Sequence, residues 1–245
     1  IRLPGLGGVP LLLAVAAVVL IAGTLAIVGG VVMRRWGRAM LQPSAAELRA
    51  ADRRRPVLLL RSFDDDAERV VTGRGQDHHV SLARFEEAIA GRFAPFGPWV
   101  AIGKPGETLP MLGAARTYNS ERDWRDAVDA LMSDALLIVM IAGLSPGLRW
   151  ELDAISRAGL LHKLLILMPP TDRQPRWSAT RNALREVPGF ADLPPVIPRG
   201  LLALYVTYYT NCSALTMART WAPDYETAIH YGIHGIFSAP QEEPR

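Results

Sequence analysis

The stretch 135–170 constrains the fold more than any other part of the chain. It holds two apolar runs without a polar interruption, residues 136–141 (LLIVMI) and 164–168 (LLILM). Unbroken rather than alternating hydrophobicity is the pattern of a strand covered on both faces, as in a parallel sheet. The segment between the runs is long enough for a right-handed helical crossover, opened by a Gly/Ser/Pro loop. In such units ligands gather at the carboxyl ends of the strands and at the helix N-termini that follow. Glu151, beside Trp150 in the first turns of the crossover helix, stands in that place. Two roles fit it: a carboxylate that acts on a ligand, or a residue that only complements the helix dipole.

Other segments extend the pattern. Residues 57–60, 99–102 and 201–206 read as further strands. Helical signals mark 123–133, 177–186, 224–237 and 81–93, the last with Ser81 as N-cap and Leu82, Phe85, Ile89 and Phe93 on one face. This order predicts an α/β domain over 56–237, with a flavodoxin-like, five-stranded parallel sheet and helices on both faces. Residues 238–245 are left as a polar tail. The Gly/Pro-rich stretch 103–118 reads as a long irregular loop, and such loops inside compact domains are usually functional or disordered. Lys104 and Arg116 there are candidates for contact with a diphosphate, or are simply exposed; no Walker pattern is present.

Residues 11–33 form an apolar run in which Thr24 is the one polar side chain. At about 1.5 Å per residue, such a run crosses a hydrocarbon core of roughly 30 Å, so a transmembrane helix is expected. Arg34, Arg35 and Arg38 follow it at once, and then Arg49, Arg53, Arg54 and Arg55, whereas Arg2 alone precedes it. Positive-inside logic then puts the C-terminal domain in the cytoplasm and makes 34–55 a basic juxtamembrane linker, helical in part from the Pro43-Ser44 start. Trp36 is an expected interfacial anchor. Residues 1–10 are expected to be a short extracytoplasmic or inter-helix segment. Ala22, Ala26 and Gly30 recur at every fourth position, a small-residue face that permits helix–helix association. Lipid and a second copy are therefore the expected partners. The net charge of +3 is small and local, and no nucleic-acid partner is expected.

Several polar groupings carry less. Asp64, Asp65 and Asp66 are adjacent on a loop, where side chains seldom converge on one ion. His78-His79 has no ligand partner at metal-site spacing, and His230 and His234 lack the surrounding pattern of a metalloprotease helix. No metal is expected. Cys212, the one cysteine, reads as an inert thiol in a reducing compartment.

The order of elements and some local residues resemble a bacterial TIR domain (Toll/interleukin receptor homology). Leu60-Arg61-Ser62-Phe63 is similar to the apolar–Ser–aromatic motif that ends the first strand of those domains, with Arg61 inserted. The long loop after the second strand is similar as well. So is Trp150-Glu151-Leu152 after the third strand, with a tighter Trp-to-Glu spacing than is usual. The resemblance covers 56 to about 206. It implies one of two functions: cleavage of the nicotinamide–ribose bond of NAD, or non-catalytic self-association. In the first, NAD is a substrate and no cofactor is needed. Glu151 would be the catalytic carboxylate, and Arg61, Ser62, Phe63, Asp64, Lys104, Arg116 and Trp150 would line the substrate cleft. A nucleoside deoxyribosyltransferase-like enzyme, with Glu151 as nucleophile, is a third possibility on a related fold.

Overall fold

The computed structural model describes residues 9–41, 43–62, 69–74, 80–102, 114–117, 124–185, 187, 190–207 and 211–238. The chain divides into two compact units between Gln42 and Pro43. The first is built on helix α1, Val9–Met40. Its window Leu13–Val31 has a mean hydropathy of 2.5 and none of it is buried, so by length and composition this helix is able to cross a membrane. Thr24 donates its hydroxyl to Leu20 O at 2.8 Å, which satisfies that polar group within the helix.

The second unit is an α/β domain. It opens with α2, Ala45–Ala51, capped by Ser44 in a reciprocal capping box with Glu47. Ala45 is buried and Leu48 packs on the core, so this part of the expected linker belongs to the α/β unit. Then come β1 (Val57–Leu60), β2 (Arg69–Arg74), β3 (Val80–Arg84), α3 (Phe85–Ala90), β4 (Trp99–Ile102), β5 (Ala115–Thr117) and α4 (Trp124–Asp134). They are followed by β6 (Leu137–Ile141), α5 (Pro146–Arg157), a 3-10 turn (Leu160–Lys163) and β7 (Leu164–Leu167). The last elements are α6 (Arg173–Leu184), β8 (Leu201–Thr207), β9 (Asn211–Thr216) and α7 (Ala222–Ser238).

The main sheet runs β5-β4-β1-β6-β7-β8-β9. Strands β5 to β7 in that order are parallel, whereas β8 is antiparallel to β7 and to β9. The expectation of five parallel strands is thus corrected to a mixed seven-stranded sheet. The five expected strands are present and adjacent, but the fifth is reversed. Its reversal follows from the connection. Helix α6, at 1.5 Å per residue, carries the chain roughly 18 Å away from the end of β7, and the stretch 185–200 brings it back. β8 therefore starts where β7 stops, and Met168 N–H donates to Leu202 O at 2.8 Å.

The expected helix 81–93 is also corrected. Its first residues form β3, which pairs with β2 in a separate antiparallel ribbon, and helix begins only at Phe85. Leu82 pairs with Val71 in the ribbon register, while Phe85, Ile89 and Phe93 keep the apolar face.

Strand alternation splits the core into two layers. Leu58, Leu60, Ile138 and Met140 pack with α4, α5 and α6. Val57, Leu59, Leu137 and Val139 pack with α3 and α7. At the amino end of the sheet, two cations close the C-terminus of α4. Arg55 donates to the carbonyls of Ser133, Asp134 and Ala135, and buried Lys163 donates to those of Ser133 and Ala135. Both complement the helix dipole.

Gly200 sets the entry to β8. Its φ is +71°, and a Cβ there would lie 2.0 Å from Met217 O. Gly200→Ala is predicted to lower stability by about 2 kcal/mol or more, read by urea unfolding.

Candidate active site

Glu151 owes its position to the start of α5. Ser145 caps that helix by accepting the Leu148 N–H, and Pro146 occupies the first turn, where its missing donor costs nothing. The helix buries Leu148, Glu151, Leu152, Ala154 and Ile155. The apolar members of that stripe match the face seated on β6 and β7, and Glu151 is the one carboxylate within it. Only 9% of Glu151 is exposed, and its Oε2 is buried with no hydrogen-bond partner among the described residues. Loss of hydration without compensation favours the neutral acid, and burial pushes the Glu151 pKa up to about 8. An unpaired buried carboxyl costs stability, so its presence is the kind of local conflict that marks functional positions.

Trp150 stands beside it, half-buried. Its ring packs edge-on against Trp124 of α4 with centroids 5.0 Å apart, and the Arg125 guanidinium lies 5.3 Å from the Trp150 ring centre. These contacts fix the α4–α5 side of the site. The first strand sends the two described residues that follow it to opposite faces of the sheet. Arg61 Nε lies 2.9 Å from Glu86 Oε2, and the other Glu86 oxygen accepts the Ala114 N–H at 2.8 Å. Arg61 is thereby engaged on the α3 face of the sheet, opposite the face on which α5 packs. Ser62 is buried, and alternation assigns it to the side of Leu58 and Leu60, the α5 side.

Arg116 lies in β5 opposite Ala101. Phe63, Asp64 and Lys104 are outside the described residues, as are Asp65, Asp66, His78 and His79. The structure therefore brings Glu151 and Trp150 together on one helix, and sends Arg61 to an ion pair. What sequence reasoning missed is Glu86, the partner of Arg61. The charge pair Arg61/Glu86 spans a ribbon that no local pattern announces. Trp124 and Arg125, which pack on Trp150, are legible only as part of a helix.

Two other titratable groupings have structural readings. Burial pushes the Cys212 thiol up to about 12, which removes it as a nucleophile at ordinary pH. His230 and His234 are exposed on α7, and His234 faces Ser238 one turn on. None of the known family models, curated proteins or solved structures compared with the chain matches it. Fold and site define an α/β protein with an N-terminal apolar helix and a buried acid on the helix that follows β6.

The buried acid makes a stability prediction. Between pH 4.5 and about 8 the folded chain keeps the Glu151 proton that the unfolded chain releases, so this group lowers stability as pH rises through that window. Glu151→Gln removes the effect. Its advantage over the wild type is predicted to grow with pH by at most about 1.4 kcal/mol per unit and to level off above pH 8. Urea unfolding at a series of pH values checks this, and a constant difference would contradict it.

Proposed function

We propose that this is a membrane-anchored TIR-like protein that cleaves the nicotinamide–ribose bond of NAD, with Glu151 as the catalytic carboxylate. The observation that carries the reading is the buried carboxyl of Glu151, unpartnered among the described residues, on the helix that follows the central strand β6. The strand order around it supports the same reading. β4-β1-β6-β7-β8 is the 2-1-3-4-5 order of a flavodoxin-like sheet, whose ligands bind beside the first and third strands.

The chemistry follows from the environment. NAD carries a fixed positive charge on its nicotinamide ring, and departure of nicotinamide transfers positive character to the ribose. A cation entering beside a desolvated acid lowers its pKa, so substrate binding itself ionises Glu151. The resulting carboxylate, in a site of low dielectric, stabilises the oxocarbenium-like ribose far better than a solvated one does. Water then completes the hydrolysis. Trp150, held by Trp124 and Arg125, forms an aromatic wall next to the acid. Arg34, at the end of the apolar span, together with Arg35 and Arg38, favours a cytoplasmic α/β domain, where NAD is available.

NAD consumption by the full chain in liposomes tests this. Release of nicotinamide is predicted for the wild type and a loss of at least about a hundredfold for Glu151→Gln. Equal turnover in both proteins would place the chemistry elsewhere. No turnover at high membrane density would favour a self-association module, and transfer of deoxyribose between bases would favour the transferase reading.

A further inference from the structure

A recess opens beside α5. Between α5 and α6, beyond the carboxyl end of β6, lies a groove of about 320 Å³ floored by Met140 and Ala142. That volume is at the lower end of small-ligand pockets, roughly 300–1,000 Å³. Glu151 does not line it; Leu148, Arg149 and Leu152 do, from the adjoining sector of the helix.

The groove is built for a negative charge. Its mouth is the N-terminus of the 12-residue α5, where Pro146 has no N–H, Ser145 accepts the Leu148 and Arg149 N–H groups, and the Gly147 N–H has no partner among the described residues. Gly147 leaves that turn open, since a Cβ there would meet nothing nearer than Ser145 Oγ at 3.9 Å. From α6, Thr180 lines the groove. It is 7% exposed and its hydroxyl has no hydrogen-bond partner among the described residues. Arg149 and Asn182 stand at the rim, and no carboxylate lines the groove among the described residues. Beneath the floor, buried Arg176 donates to Ala142 O at 3.0 Å. The walls, Leu148, Leu152 and Ala183, are apolar.

We propose that this groove binds a small phosphate ester, its phosphate held by the Gly147 N–H, Thr180 and Arg149, and its short apolar body lying along Leu148 and Leu152. A tetrahedral oxyanion has the several acceptor atoms that such divergent donors need, and an apolar body fills the rest of the space. Glu151 lies outside the groove, and the proposal does not depend on NAD cleavage.

Titration calorimetry on the full chain in an uncharged glycoside detergent, at fixed ionic strength, tests this with n-butyl phosphate and inorganic phosphate as probes. Saturable binding is expected for n-butyl phosphate, tighter than for inorganic phosphate. Arg149→Ala is expected to weaken it by roughly tenfold and the near-isosteric Thr180→Val by roughly fivefold, while Glu151→Gln leaves it unchanged. Absence of saturable binding would overturn the proposal. So would binding that both groove variants leave intact, or binding that Glu151→Gln abolishes.

Discussion

Strand β6 has five apolar side chains, all buried, and it pairs with β1 on one side and β7 on the other. A strand of that kind is stable only if both faces are covered and both edges are paired. At roughly 25 cal/mol per Å² of apolar surface, exposing either face would forfeit several kcal/mol. The requirement draws α4, α5 and α6 to one face and α3 and α7 to the other. It also fixes where α5 begins, because the chain leaves β6 at the carboxyl edge and must turn at once to cover it. Glu151 is carried into its buried position by that turn.

Burial of Glu151 is therefore a consequence of core packing and a cost to it. The neighbours of Glu151 in the buried stripe, Leu148, Leu152 and Ile155, are held by dispersion and the hydrophobic effect. The carboxyl receives no matching donor among the described residues. An apolar residue at this place would satisfy the fold better, and a solvated one would serve the helix dipole equally well. A carboxyl kept neutral in this way responds strongly to a positive charge brought beside it, which is the physical basis of the proposed role. The contrast with Arg61 is instructive. Its charge is matched by Glu86 at 2.9 Å, so a group that looks available in the linear chain is committed to structure.

Much of the architecture was legible because parallel strands covered on both faces leave unbroken apolar runs. The strands β1, β4, β6, β7 and β8 were visible for that reason, as was the apolar span of α1. What escaped was anything defined by pairing rather than by composition. β9, with Asn211, Cys212 and Ser213 at its start, has no apolar run and exists as a strand because β8 offers it a ladder. β5 is three residues long and depends on β4 in the same way. The direction of β8 is not encoded in its own residues, since a buried run reads alike in both senses. It is set by the return of the chain through 185–200. Leu82 matched a helical face with Phe85 and Ile89, yet its partner across the ribbon, Val71, decided its conformation. In the site, Glu151 was found from its place after a buried strand. The absence of a partner for its carboxyl among the described residues, which gives it chemical interest, is a three-dimensional fact.

The central claim is that Glu151 is a desolvated acid waiting for a cation. The most direct measurement is an NMR pH titration of its side-chain carboxyl in the full chain, with ¹³C-labelled glutamate and Glu151→Gln for assignment. A midpoint near 8, far above the ordinary 4.5, is the predicted result. A midpoint in the ordinary carboxylate range would mean that the group is solvated or paired, and would contradict the role proposed for it.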